Sequence, residues 1–175
     1  FDPITSGIWE INFSLYVETG SGAYFNIQQN YDPTGVNNLW GGEVYFETTG
    51  SASAEYTTGG IVAGTFSYAQ GQWIDISTVI DLDKDTLWIE YNGTAVAGWT
   101  YSSANPTSTL QQFNGVNFYT GASANNFFVD DFCVQPHDTS TCEVPTGLAM
   151  TSTGCDSITV GWTSVSGTSI IEYGA

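Results

Sequence analysis

Tyr45 stands between Glu43 and Glu47 at alternate positions, Trp88 is two residues from Glu90, Asn117 from Tyr119, and Asn26 from Gln28. Alternate residues of an extended strand share one face, so each stretch sets rings, amides or carboxylates side by side. Aromatic rings stack on the C–H faces of pyranoses, and amides and carboxylates fix hydroxyl groups by directed hydrogen bonds. Trp40, next to Gly41-Gly42, is expected to cap such a surface from a loop.

Other constellations carry less. Asp81-x-Asp83-x-Asp85 opens like a calcium loop, but the sixth position is Thr86 instead of Gly and the twelfth is Asn92 instead of Glu. It reads as a polar turn with Lys84 beside three carboxylates. His137 has no cysteine or second histidine near it in sequence and is expected to be solvated. No Gly-rich phosphate loop and no Gly-x-Ser-x-Gly elbow occurs. Cys133, Cys142 and Cys155 form no C-x-x-C pair. The expectation is a disulfide, Cys133 with Cys142 or, in competition, Cys142 with Cys155.

Charge excludes whole classes of partner. The 175 residues hold 18 Asp and Glu against one Lys, Lys84, for a net charge of −17. Binding to DNA or RNA rests on cations that neutralise phosphates, so nucleic acid is excluded as a partner, and so are anionic lipid surfaces. No apolar run approaches the roughly 20 residues of a membrane-spanning helix, so no membrane insertion is expected. Neutral polar residues supply the surface instead: 17 Ser and 23 Thr, with 20 Gly and 15% aromatics. That mixture indicates folded, turn-rich β structure.

The elements that position these residues are strands. Trp9 to Val17 alternates apolar and polar residues, and similar signals recur over Ala23 to Tyr31, Glu43 to Thr48, Gly60 to Tyr68, Trp73 to Leu82, Thr86 to Tyr91, Ala95 to Tyr101, Val116 to Thr120 and Phe127 to Val134. Asn92-Gly93 between two such runs predicts a two-residue hairpin, since both residues tolerate positive φ. No stretch keeps a helical period. The chain is therefore expected to be all-β, with residues 1–134 a two-sheet sandwich, 135–144 a linker and 145–175 a different unit.

Residues 1–134 resemble the concanavalin A-like lectin/glucanase (LamG-like) jelly rolls attached to secreted bacterial multi-domain proteins, including cargo of the type IX secretion system. The resemblance is carried by Gly7-Ile8-Trp9-Glu10-Ile11-Asn12-Phe13, Ala23-Tyr24-Phe25-Asn26-Ile27-Gln28, Glu43-Val44-Tyr45-Phe46, Ile80-Asp81-Leu82-Asp83-Lys84-Asp85, Gly115-Val116-Asn117-Phe118-Tyr119 and Val129-Asp130-Asp131-Phe132. It implies a structural calcium held by Asp130 and Asp131 of the last strand and by carbonyl oxygens near the first, joined by Asp2. Hydrolases of that superfamily carry Glu-x-Asp-x-Glu on one strand; here Tyr45 replaces the middle acid of Glu43-x-x-x-Glu47, which argues against hydrolysis. Pro145-Thr146-Gly147-Leu148, Ser157 to Trp162 and Ile170 to Gly174 are similar to the opening of a fibronectin type III domain, with Trp162 as its core tryptophan. Asp85-Thr86-Leu87 and Asp156-Ser157-Ile158 look like bacterial O-glycosylation acceptors.

Together these readings predict a non-catalytic module of a secreted or cell-surface protein, binding a glycan or other surface ligand through Trp40, Glu43, Tyr45, Glu47, Trp88, Glu90, Asn117 and Tyr119. Two alternatives are kept: a fibre subunit that self-associates through strands of the incomplete fibronectin-like segment, and a glycoside hydrolase acting on β-glucan. The start at Phe1 without Met reads as a processed or excised piece, and the chain is expected to continue past Ala175 or to complete its last sheet with another chain.

Overall fold

A computed structural model describes residues 2–56, 60–104, 108–120 and 124–137, and the backbone of two further strands, 146–153 and 158–163. The chain divides into two compact units, Phe1–His137 and Asp138–Ala175.

The first unit holds ten strands: β1 (Ile8–Val17), β2 (Ala23–Asn30), β3 (Leu39–Phe46), β4 (Ser51–Glu55), β5 (Val62–Ser67), β6 (Trp73–Asp81), β7 (Thr86–Tyr91), β8 (Thr94–Thr100), β9 (Gly115–Phe118) and β10 (Phe127–Pro136). A single 3₁₀ turn, Tyr101–Ala104, follows β8. The strands form two antiparallel five-stranded sheets, ordered β10-β1-β6-β7-β8 and β5-β4-β3-β2-β9. This is an all-β jelly-roll sandwich. In the second unit β11 (Thr146–Thr153) pairs antiparallel with β12 (Ile158–Thr163), Thr146 opposite Thr163.

Alternation builds the core. In β1 the odd positions Ile11, Phe13, Leu15 and Val17 are buried, and they meet Phe25, Ile27, Val44 and Phe46 of the facing sheet. Phe13 is the hub: its ring lies edge-on to both Phe25 and Phe118 with centroids 5.1 Å apart. β4 has no place among the expected strands, because Ser51-Ala52-Ser53-Ala54-Glu55 carries only small apolar side chains. Its alternation is nevertheless real, with Ala52 and Ala54 buried. At the other end of the sandwich Trp99 packs on Gly42, where a methyl group would overlap the indole, and its Nε1 donates to the Gly41 carbonyl at 2.9 Å.

Turn chemistry fixes the connections. Asn92 and Gly93 adopt φ of 46° and 73°, the doubly left-handed conformation of the expected two-residue hairpin between β7 and β8. The Asp81–Asp85 turn is stapled by its own acids. Asp81 accepts the backbone N–H groups of Asp83 and Lys84, Asp83 accepts that of Gly7, and Asp85 accepts both the N–H and the hydroxyl of Ser102. The Lys84 ammonium sits 3.4 Å from the Asp81 carboxylate.

Two details depart from the sequence reading. β10 continues through Gln135 and Pro136, and His137 docks on the sheet instead of standing in solvent: its N–H donates to Ile8 and its Nδ1 lies 3.3 Å from Glu10. β10 also carries a bulge opposite Phe13, with Asp131 at φ 53°. The extra residue shifts the inward set from Phe127 and Val129 to Val134, so simple parity fails along this strand.

Candidate functional site

The outer face of the β5-β4-β3-β2-β9 sheet concentrates the polar and aromatic residues. Register sets them in rows across the strands. One row runs Ser53, Tyr45, Tyr24, with Tyr119 beyond; the next runs Glu55, Glu43, Asn26, Asn117. Between them lies a groove of about 510 Å³ lined by Tyr24, Asn26, Trp40, Tyr45, Glu47, Asn117, Tyr119 and Asn125. That volume lies in the range of small-ligand sites.

Side chains on the outward face of a sheet are normally wet, yet Asn26 is 2%, Gln28 5% and Glu43 9% exposed. Their polar groups are consequently organised. Tyr24 and Tyr45 both donate to Glu43 Oε1, at 2.7 and 3.0 Å, and Asn26 Nδ2 donates to the Tyr24 hydroxyl at 3.0 Å. The two phenol rings lie with centroids 4.9 Å apart, and Tyr24 is edge-on to Tyr119 at 6.5 Å. The Asn26 carbonyl, Oδ1, is buried without a hydrogen-bond partner. Burial, reinforced by the Glu43 carboxylate, pushes the Tyr24 and Tyr45 phenols well above the ordinary tyrosine range. Both rings therefore remain neutral donors through the physiological pH range.

Of the residues singled out in sequence, Trp40, Tyr45, Glu47, Asn117 and Tyr119 line this groove, with Asn26 as its floor. Glu43 lies on the same face and acts through Tyr24 and Tyr45. Trp40 belongs to β3 and not to a loop. Trp88 and Glu90 do not join the groove. They lie on β7, in the other sheet, where Trp88 meets His137 edge-on and Glu90 borders a separate trough. Period-two reasoning assigns a face within a strand but not the sheet to which that strand belongs. Two lining residues, Tyr24 and Asn125, and one residue of the adjoining row, Glu55, are not among the expected site residues. Tyr24 shares parity with Asn26 and Gln28 and was readable; Glu55 was hidden because β4 was not recognised; Asn125 lies outside the strands, bridged to Gly22, and nothing local in the sequence marks it.

Asp130 and Asp131, expected to hold calcium, lie at the bulge of β10. Among the described residues no three of His, Cys, Asp and Glu stand together as a metal site. Asp130 Oδ1 accepts the Asp131 N–H at 2.9 Å. Cys133 is exposed on β10, and Cys142 and Cys155, its expected partner and the competitor, lie outside the described residues, as does Trp162's side chain. Among the described residues no helix is long and apolar enough to cross a membrane.

No protein-family model matches the chain, and no curated protein matches it. Among solved structures it is similar to alginate lyase A1-II′, with a TM-score of 0.56 and 10% identity over 77% of this chain and 64% of that one. It is similar to AlgAT5, an alginate lyase of polysaccharide lyase family 7, with a TM-score of 0.51 and 13% identity over 76% of this chain and 61% of that one. It also matches a sialidase at 0.51 and 11% identity, over 76% of this chain but 14% of that one. The chain thus spans under two thirds of either lyase and about a seventh of the sialidase. What it shares with them is the jelly-roll β-sandwich fold.

Proposed function

We propose that the first unit is a non-catalytic glycan-binding module, and that the groove over β2, β3 and β9 holds a neutral pyranose chain. The observation that carries this reading is the buried Tyr24–Glu43–Tyr45 network beneath a groove lined by rings and amides. Rings held in fixed positions offer stacking surfaces at little entropic cost, and Asn26, Asn117 and Asn125 offer amides to sugar hydroxyls.

Charge favours a neutral sugar. The similar solved structures include enzymes named for alginate, a polyanion. Here the groove carries Glu47 and no cation among its lining residues, in a chain of net charge −17. A uronate chain would enter against that field. Chemistry favours binding over turnover. Glycoside hydrolysis needs two carboxyl groups in different protonation states flanking one bond, whereas Glu43 is committed to two phenols and Tyr45 fills the position between it and Glu47. Phenols held protonated are also poor bases.

We read the pair β11–β12 as the start of a fibronectin type III module, and the whole as part of a secreted surface protein. A two-stranded ladder is marginal by itself, which keeps strand addition between copies as the second reading; a strictly monomeric species at all concentrations in sedimentation removes it. The primary reading is tested by calorimetry with neutral hexasaccharides and with alginate hexamers. Binding of a neutral sugar that falls at least tenfold in Tyr45→Ala supports it. Preference for alginate, or release of unsaturated or reducing ends, overturns it.

A further inference from the structure

We propose that the outer face of the β10-β1-β6-β7-β8 sheet is a second glycan-contact site, so that the module holds sugar chains on both of its outer faces. It extends the glycan reading of the groove but is carried by different residues.

Three adjacent strands each place an aromatic ring at the same level of this face. Tyr16 is opposite Phe128 on one side and Trp73 on the other. Its ring meets both edge-on, with centroids 6.1 and 5.5 Å away, and this locks the three into a ledge. Trp73 is 51% and Phe128 53% exposed. An indole this open, on a strand whose alternate residues Ile74 and Ile76 complete the core, contributes nothing to the inside of the sandwich.

Two residues further along the same strands, roughly 7 Å away, the face changes character. Ser14 and Asp75 lie side by side, with Ser14 Oγ donating to Asp75 at 3.2 Å, and Asn92 accepts the Asp75 N–H at 2.9 Å. Beyond them Asn12 and Ser77 complete a trough of about 240 Å³, rimmed by Glu90 and Asp131. The small side chains are what leave it open. A ledge of rings next to a trough of hydroxyl, amide and carboxylate groups suits a pyranose, with one face stacked and the hydroxyl edge turned to Ser14 and Asp75.

Charge narrows the occupant. The trough carries Asp75, Glu90 and Asp131, and the single Lys of the chain is bound to Asp81 at the far end of β6. A second copy of this chain would bring the same acids against them, and an acidic polysaccharide would be repelled. A neutral glycan is not.

The test is affinity electrophoresis of the full chain through gels containing laminarin, mannan or hydroxyethyl cellulose, comparing wild type, Tyr45→Ala, Trp73→Ala and the double variant, with circular dichroism to verify folding. The expected result is that each single variant keeps partial retardation in the gel that retards the wild type and the double variant loses it. Trp73→Phe should restore most of the loss. Equal retardation of Tyr45→Ala and the double variant overturns this second site and leaves the groove intact. Loss of all retardation in Tyr45→Ala alone does the same. Retardation lost in Trp73→Ala but unchanged in Tyr45→Ala supports the ledge and overturns the groove. A wild-type dimer in sedimentation that dissociates in Trp73→Ala assigns the ledge to self-association and overturns the proposal.

Discussion

The two sheets are built on the same alternation and enclose the same core, but their outward faces are different surfaces. On β2 and β3 outward residues are themselves buried, and a carboxylate is held by two phenols. Around the trough on β1 and β6 the outward residues are small and more open: Ser14 touches Asp75, and the aromatic rings gather at one end. Buried polar groups on a face that owes nothing to the core are costly unless satisfied. The cluster of Asn26, Gln28 and Glu43 on the β5-β4-β3-β2-β9 sheet therefore marks a face whose polar groups are held in fixed positions, whereas the trough on the other sheet is open.

Removing what the sheets share should erase the contrast altogether. Phe13→Ala, at the hub between them, is expected to cost about 3–5 kcal/mol in denaturant unfolding, and both faces should fail together. A smaller effect sharpens the contrast. Glu43→Ala leaves the Tyr24 and Tyr45 hydroxyls without their acceptor, which is expected to cost about 1–3 kcal/mol and at least tenfold in groove affinity. The corresponding change on the other sheet, Asp75→Ala, removes a carboxylate from an open face and should cost under about 0.5 kcal/mol.

Alkali offers a third comparison. The Tyr24 and Tyr45 phenols titrate higher in the folded chain than in the unfolded one. Their contribution is therefore complete below the ordinary tyrosine value of about 10 and is lost as pH rises above it. Tyr24→Phe/Tyr45→Phe should show a shallower fall of stability between about pH 10 and 12, read by urea titration at each pH.

Much of the fold was legible because strand alternation and hairpin chemistry are local. Asn92-Gly93 named its turn, and the odd positions of β1 named the core. Where reading failed, the missing information was not local. Trp88 and Glu90 have the right residue types and spacing, but the order of strands in a sheet is decided by the whole chain, and it set them on the far side from Tyr45. Ser51–Glu55 lacks β-branched and aromatic residues, so a real strand has no signal in the sequence. The bulge at Asp131 shifted the parity of β10 by one residue. The groove was half visible for the same reason: its β2, β3 and β9 residues could be named one strand at a time, while their convergence could not.

That same bulge has a bearing on crowding. β10 is the outermost strand of its sheet, and a regular outermost strand offers its free amides and carbonyls to any passing chain. With Asp131 turned left-handed and Asp130 beside it, the row of unused groups is broken midway and negatively charged at the break. At high concentration such a border disfavours strand addition by a neighbouring chain.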